Sequence, residues 1–408
     1  MSKIRYLQVT HIPFMRRGNE IIVDSLWAND LKALVRYVGP LRVVAPELTE
    51  SDSHQTWGPT ETILDSSSGI TFVGFQPISS TRDLIGILKM RSLLRQQVDW
   101  AELVHTSNPF PPYLGLMEAH NYAVSLKKKT IFAIAEDYQD MIEWEWVRLA
   151  DSTFKRWRRN YQVYKMNCLV EEAARTASLT FLFTPAAIHL HRLQTKNGVA
   201  LRDVTHAKED VITEESLQKK CQAIREGKRL VIVAACRHKP LKGLDLLIRA
   251  IAVLKQWRIS VHVHLYGHGS ATKDLKELVQ KLELQQEVDF PGHLNPGKEL
   301  YEALSEADIC AMPHRTNDFA RAFYDAMAGG APVIAFDTLA SRGTVRHGVD
   351  GLLATQDNVI AYATAIRRVH EDRNLLIKMA KQARERALCE TQEIWMQYRA
   401  EWIRELFS

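Results

Sequence analysis

Residues 230–243 read L-V-I-V-A-A-C-R-H-K-P-L-K-G, an aliphatic run that breaks into a basic loop and a glycine. After Gly243, Leu244, Leu247, Ile248, Ile251 and Leu254 recur at steps of three and four, which predicts a helix with one buried face. A short apolar strand followed at once by such a helix is the βαβ unit of a parallel sheet, not a piece of a sandwich or a bundle. The reading of this stretch puts the chain in the α/β class.

The same alternation runs outward in both directions. Toward the C-terminus, strands are predicted at 261–266, 287–290, 308–312 and 332–336, with helical segments between them. Toward the N-terminus, residues 203–229 turn charged and polar without a strong apolar strand, and are read as a partly helical inter-domain connection. Before it, predicted strands at 4–10, 41–45, 70–75, 102–106, 130–135 and 179–183 alternate with helical patterns at 20–37, 82–98 and 152–176. Two Rossmann-like domains result, 1–202 and 230–388, and 389–408 reads as a C-terminal helix carrying Trp395, Trp402 and Leu406. A length of 408 residues independently predicts two domains, since one core rarely grows past roughly 250–300 residues.

Composition narrows the function. With 46% hydrophobic and 25% charged residues the chain is an ordinary folded protein. Five scattered cysteines without a C-x-x-C pair argue against a disulfide framework or zinc ribbon and for a reducing cytoplasm. No apolar run is long enough to span a bilayer, and Lys3 and Arg5 interrupt any signal-like start. The net charge of +5 is too small an average to imply nucleic acid, and no nucleic-acid module accompanies it. The excess is concentrated: residues 152–170 hold five basic residues and no acidic one, which accounts for all of it.

Two cations beside a helix N-terminus suit a diphosphate, because the helix end supplies free N–H groups and partial positive charge, while Arg237 and Lys242 neutralise the rest. A second stretch, P-H-R-T-N-D-F-A-R-A-F-Y-D-A-M-A-G-G-A-P-V-I-A (313–335), places another loop at a strand end, where open α/β sheets bind ligands. Y-G-H-G-S (266–270), V-D-F-P-G (288–292), A-D-I-C-A-M-P (307–313) and H-G-V-D-G-L-L (347–353) complete six motifs in order over about 120 residues. In this order they resemble the nucleotide-sugar domain of retaining GT-B glycosyltransferases of family 4, the glycosyl transferases group 1. R-R-G-N-E (16–20), L-V-H-T-S-N-P (103–109) and N-G-V (197–199) give a looser match in the first half.

The resemblance implies a GT-B architecture: two Rossmann-like domains facing across a cleft, the first for an acceptor and the second for a donor, with the last helix crossing back. It implies transfer of a hexose from a nucleoside diphosphate sugar to a hydroxyl acceptor, with retention and no cofactor. Arg237 and Lys242 would hold the diphosphate, Asp325 the donor ribose, and His293 and Leu294 the base. Phe319, Ala320 and Arg321 would line sugar and phosphates. Gly267, Arg17 and Gly18 would border the donor, Gly18 admitting the phosphates for want of a side chain. Where the family has its first glutamate this chain has Asn317, with Asp318 one residue on. An amide hydrogen-bonds a hydroxyl but does not offset oxocarbenium charge as a carboxylate does. That substitution motivates a second reading, a non-catalytic GT-B protein binding a nucleotide or a partner; a third is another GT-B enzyme class, an epimerase or phosphorylase.

On the acceptor side Glu136 and Asp137, followed by Asp140, can orient or deprotonate a hydroxyl, or form a solvated acidic loop. His105, at another strand end, has the same two readings. No D-x-D pair occurs, so a metal-free reaction is expected, and His262 and His264, lacking a carboxylate nearby in sequence, read as ordinary strand residues. On the helix over 152–176, Phe154, Trp157, Tyr161, Tyr164 and Cys168 share a face flanked by Lys155, Arg156, Arg158, Arg159 and Lys165. The aromatics are expected to pack on the sheet, with residues 154–166 lying on an anionic membrane surface as the competing reading.

Overall fold

The computed structural model describes residues 4–49, 60–64, 68–78, 83–108, 113–134, 147–148, 150–183, 197–227, 229–317 and 321–408. The chain divides into two compact units: Met1–Glu136 with Trp157–Arg202 and Trp395–Ser408, and Asp137–Arg156 with Asp203–Ile394.

In the first unit the apolar runs form β1 (Tyr6–Val9), β4 (Leu41–Leu48), β6 (Ile70–Phe75), β7 (Leu103–Ser107), β8 (Lys129–Ile134), β9 (Leu179–Leu182) and β10 (Gly198–Ala200), all parallel. An antiparallel ribbon of β2 (Phe14–Arg17), β3 (Glu20–Asp24) and β5 (Thr60–Leu64) joins the end of β4. The helices are α1 (Ser25–Val38), α2 (Leu84–Trp100), α3 (Met117–Ser125) and, from Trp157 onward, α4 (Thr153–Thr176). Residues 20–24 are a strand, not the helix start predicted for 20–37. Ile21 and Val23 are buried on one side, and Asp24 stops the strand by accepting hydrogen bonds from the amides of Leu26 and Trp27.

In the second unit β11 (Leu230–Ala235), β12 (Val261–Tyr266), β13 (Val288–Gly292), β14 (Ile309–Met312), β15 (Val333–Phe336) and β16 (Gly351–Ala354) form a parallel sheet in the order β13-β12-β11-β14-β15-β16. The helices are α5 (Glu214–Glu226), α6 (Leu244–Gln256), α7 (Thr272–Lys281), α8 (Lys298–Glu306), α9 (Arg321–Ala328), α10 (Leu339–Thr344), α11 (Val359–Glu371) and α12 (Arg373–Cys389). The face predicted for α6 is buried, Leu244, Leu247, Ile248, Ile251 and Leu254 each at most 1% exposed. Residues 203–227, expected to belong to a connection over 203–229, pack within this unit. Leu217, Cys221 and Ile224 give α5 a buried stripe in the common core, hidden in the sequence among charged neighbours.

The last helix, α13 (Gln392–Glu405), belongs to the first unit from Trp395 onward. There Trp395, Trp402, Ile403 and Leu406 join the core under α1, against Leu31, Leu103 and Phe181. Helix α4 corrects the expectation that its aromatics face the sheet. Val163, Met166, Val170, Ala173 and Ala174 are its buried side, whereas Phe154, Trp157, Tyr161 and Tyr164 are 66%, 63%, 49% and 63% exposed. Trp157 stacks on Tyr161, and Lys165 lies over the Tyr161 ring.

Candidate active site

The strand-end loops of the second unit are knitted together by backbone. The amide of Cys236 donates to Tyr266, that of His238 to His268, that of Gly267 to Gly292 and that of Arg315 to Leu241. Three glycines make this approach possible. A Cβ on Gly243, Gly267 or Gly269 would stand 2.0, 2.1 or 2.4 Å from the carbonyl oxygen of Pro313, Cys236 or His238. Gly243 and Gly267 also hold φ of 68° and 114°, conformations that suit glycine. The loops after β11, β12 and β14 thus form one surface, and β13 ends beside it.

Arg237 is exposed on this surface, with no side-chain hydrogen bond or ion pair among the described residues. Lys242, half-buried, closes the short turn Pro240–Lys242, and its charge is felt by both Cys236 and His314. Burial pushes the Cys236 thiol up to about 11, so it is no nucleophile. Arg315, by contrast, is committed to structure: its guanidinium grips both oxygens of Asp245 at 2.8 and 2.7 Å and the carbonyl of Pro240. That fork fixes the loop after β14 against the start of α6.

Two residues that the motif reading passed over stand in this loop. His314 is 3% exposed and Thr316 1% exposed, and among the described residues neither ring nitrogen nor the hydroxyl has a hydrogen-bond partner. Burial, aided by the Lys242 charge, holds the imidazole pKa well below its ordinary value, so the ring is neutral, one nitrogen a donor and the other an acceptor. Buried polar atoms without partners are costly in a finished structure and are expected where a ligand completes them. His238 adds a third, its Nδ1 paired with Thr272 and its Nε2 unpaired. The signal was present only as polar residues inside an otherwise apolar strand-end sequence.

The other predicted residues are distributed as follows. His293 is exposed and Leu294 half-buried just after β13. Asp325 on α9 is 8% exposed, and its Oδ1 accepts from Thr205 at 3.1 Å and Tyr301 at 3.2 Å; burial raises its pKa. Arg321, at the start of α9, pairs with Asp203. Asn317 accepts the Leu339 amide at 3.0 Å, so its amide oxygen anchors the start of α10. In the H-G-V-D-G-L-L motif Asp350 is fully buried, taking the Arg346 amide and guanidinium, which assigns that motif to the loop's architecture. Asp318, Phe319, Ala320, Glu136, Asp137 and Asp140 lie outside the described residues. In the first unit Arg17 ends β2 and Gly18, at φ 60°, opens the exposed turn that leads to β3. His105 is 5% exposed and bonded through Nδ1 to the Tyr6 hydroxyl at 2.7 Å, which fits its structural reading.

Residues 215–386 match the family model described as Glycosyl transferases group 1. Over 158 residues the chain is 32% identical to a D-inositol 3-phosphate glycosyltransferase of Geodermatophilus obscurus, covering 36% of this chain and 34% of that protein. It is 29% identical over 168 residues to a GDP-mannose-dependent alpha-(1-6)-phosphatidylinositol monomannoside mannosyltransferase of Mycobacterium tuberculosis, covering 40% and 43%. The chain therefore spans less than half the length of these curated relatives. Among solved structures it is similar to Anabaena HepE in complex with UDP and glucose (TM-score 0.70, 15% identity, 98% and 100% of the two chains). Sucrose-phosphate synthase from Thermosynechococcus elongatus gives a TM-score of 0.72 at 15% identity over 99% of each chain, and WaaG, a glycosyltransferase involved in lipopolysaccharide biosynthesis, 0.66 at 13% over 97% and 98%. The fold is GT-B, two Rossmann-like units with parallel sheets.

Proposed function

We propose that the chain is a retaining, metal-independent glycosyltransferase of family 4 that moves a hexose from a nucleoside diphosphate sugar to a hydroxyl acceptor. The observation that carries this reading is the second unit's strand-end surface, where Arg237 and Lys242 accompany the unpaired polar groups of His314 and Thr316. The relatives named for GDP-mannose and the HepE complex with UDP-glucose support a nucleotide-sugar donor.

In this mechanism Arg237 and Lys242 stabilise the charge that develops on the departing diphosphate. The leaving phosphate oxygen accepts the proton of the incoming hydroxyl on the same face, which retains the anomeric configuration. Asn317 hydrogen-bonds a sugar hydroxyl, with Asp318 as its neighbouring carboxylate, while Glu136, Asp137 and Asp140 orient the acceptor. Isothermal titration with a panel of nucleotide sugars tests the donor site. Arg237→Ala and Lys242→Ala should each weaken binding roughly 10- to 150-fold, the equivalent of one charge-assisted hydrogen bond at about 1.5–3 kcal/mol. No binding to any member of the panel, or binding indifferent to both changes, defeats the proposal; binding without transfer or hydrolysis favours a nucleotide-binding protein.

The acceptor unit acts at the inner face of a membrane, held by α4. Its exposed ring face beside Arg156, Arg158 and Arg159 has the composition of an interfacial helix, and no helix among the described residues is long and apolar enough to cross a bilayer. The chain should sediment with vesicles containing anionic lipid, and less so when Arg156, Arg158 and Arg159 become Gln. Sedimentation that ignores the triple change would leave α4 without this role.

A further inference from the structure

Strand β12 carries His262 and His264 on one face, because residues two apart in a strand point the same way. On the edge strand β13, Asp289 stands directly opposite His264 in the parallel register. The sequence hides this carboxylate, which lies 25 residues from His264 and reaches it only through strand pairing. Asp289 Oδ1 is 2.9 Å from His264 Nδ1, and its Oδ2 is 3.3 Å from His262 Nε2. One donor atom from each of the three residues falls within 4.8 Å of the others, and all three side chains are partly open to solvent.

We infer that His262, His264 and Asp289 form a binding site for a divalent transition-metal ion, zinc by the character of its donors. Two imidazoles and a carboxylate are a zinc ligand set that leaves a fourth position to water. Tetrahedral bonds of about 2.0–2.1 Å put ligand atoms about 3.3 Å apart, and the single oxygen Asp289 Oδ2 already stands 3.1 Å from His264 Nδ1 and 3.3 Å from His262 Nε2.

One contact competes. Arg229 Nη2 lies 2.5 Å from His262 Nδ1, and the same guanidinium donates to the carbonyls of Val261 and Gln286. Metal on His262 Nε2 requires the proton on Nδ1, so Arg229 must release the ring and keep the two carbonyls. The site shares no residue with the donor loops, and its role is to tie the edge strand β13 to β12.

Full-length protein stripped with EDTA and titrated with CoCl2 tests the site. About one equivalent should develop the visible absorption of a low-coordinate nitrogen–oxygen site, and ZnCl2 should displace it. His264→Ala and Asp289→Asn should each weaken binding by at least about tenfold, while leaving the metal-free circular dichroism spectrum and melting temperature in place. Arg229→Gln should tighten it. Absence of the spectrum, binding undiminished in His264→Ala and Asp289→Asn, or a site lost when Arg229 is replaced would each overturn the assignment.

Discussion

A methyl group on Gly243 meets two obstacles: the Pro313 carbonyl oxygen at 2.0 Å and a backbone held at φ 68°. Neither can be relieved by turning a side chain, because the atom in the way is backbone. Gly243→Ala should therefore cost about 1–3 kcal/mol for the left-handed conformation and a similar amount for the forced separation of the two loops. A denaturant titration checks the loss, and unaltered stability would mean that the loops move apart freely. The same variant should bind nucleotide sugar weakly even at temperatures where it is folded, since Lys242 precedes the displaced glycine.

Within helix α5, Lys220 is 8% exposed and donates to the Gly329 carbonyl at 2.8 Å. Burial lowers its pKa to about 7. Below that pH the ammonium is charged in both folded and unfolded chains, and the full cost of burying it is present. Between about pH 7 and 10.4 the unfolded chain binds the proton that the folded one has released, so stability rises with pH. The stability of the parent chain relative to Lys220→Met should accordingly increase between about pH 6.5 and 9; a flat difference would show that the ammonium is not desolvated. Helix α5 also illustrates what a sequence conceals. Most parallel strands were legible because unbroken Val/Ile/Leu runs have few other uses, the short β10 and β16 excepted, and Arg237, Lys242 and Gly243 stood out because their pattern is contiguous in the sequence. Leu217, Cys221 and Ile224 were lost among charges, and Asp24 separates a strand and a helix that share one apolar pattern. The role of Asn317 at Leu339, the unpaired state of His314 and the meeting of Asp289 with His264 depend on neighbours that only folding supplies.

At the scale of the whole chain, the first unit is completed by its last residues. Ile403 is 1% exposed in a core shared with Leu31, Leu103 and Phe181, whereas the second unit has a core of its own that ends at Ala387. All residues of that second core precede α13, so it can close before the C-terminal helix is available. Ile403→Ala should remove about 2–5 kcal/mol from the first unit, the range for truncating a buried aliphatic side chain. Hydrogen exchange resolves where the loss falls: amides of β1, β4 and β7 should lose protection while those of β11, β14 and β15 keep theirs. Equal loss in both sets would mean that the two cores unfold as one cooperative body, and that the division seen in the contacts has no counterpart in stability.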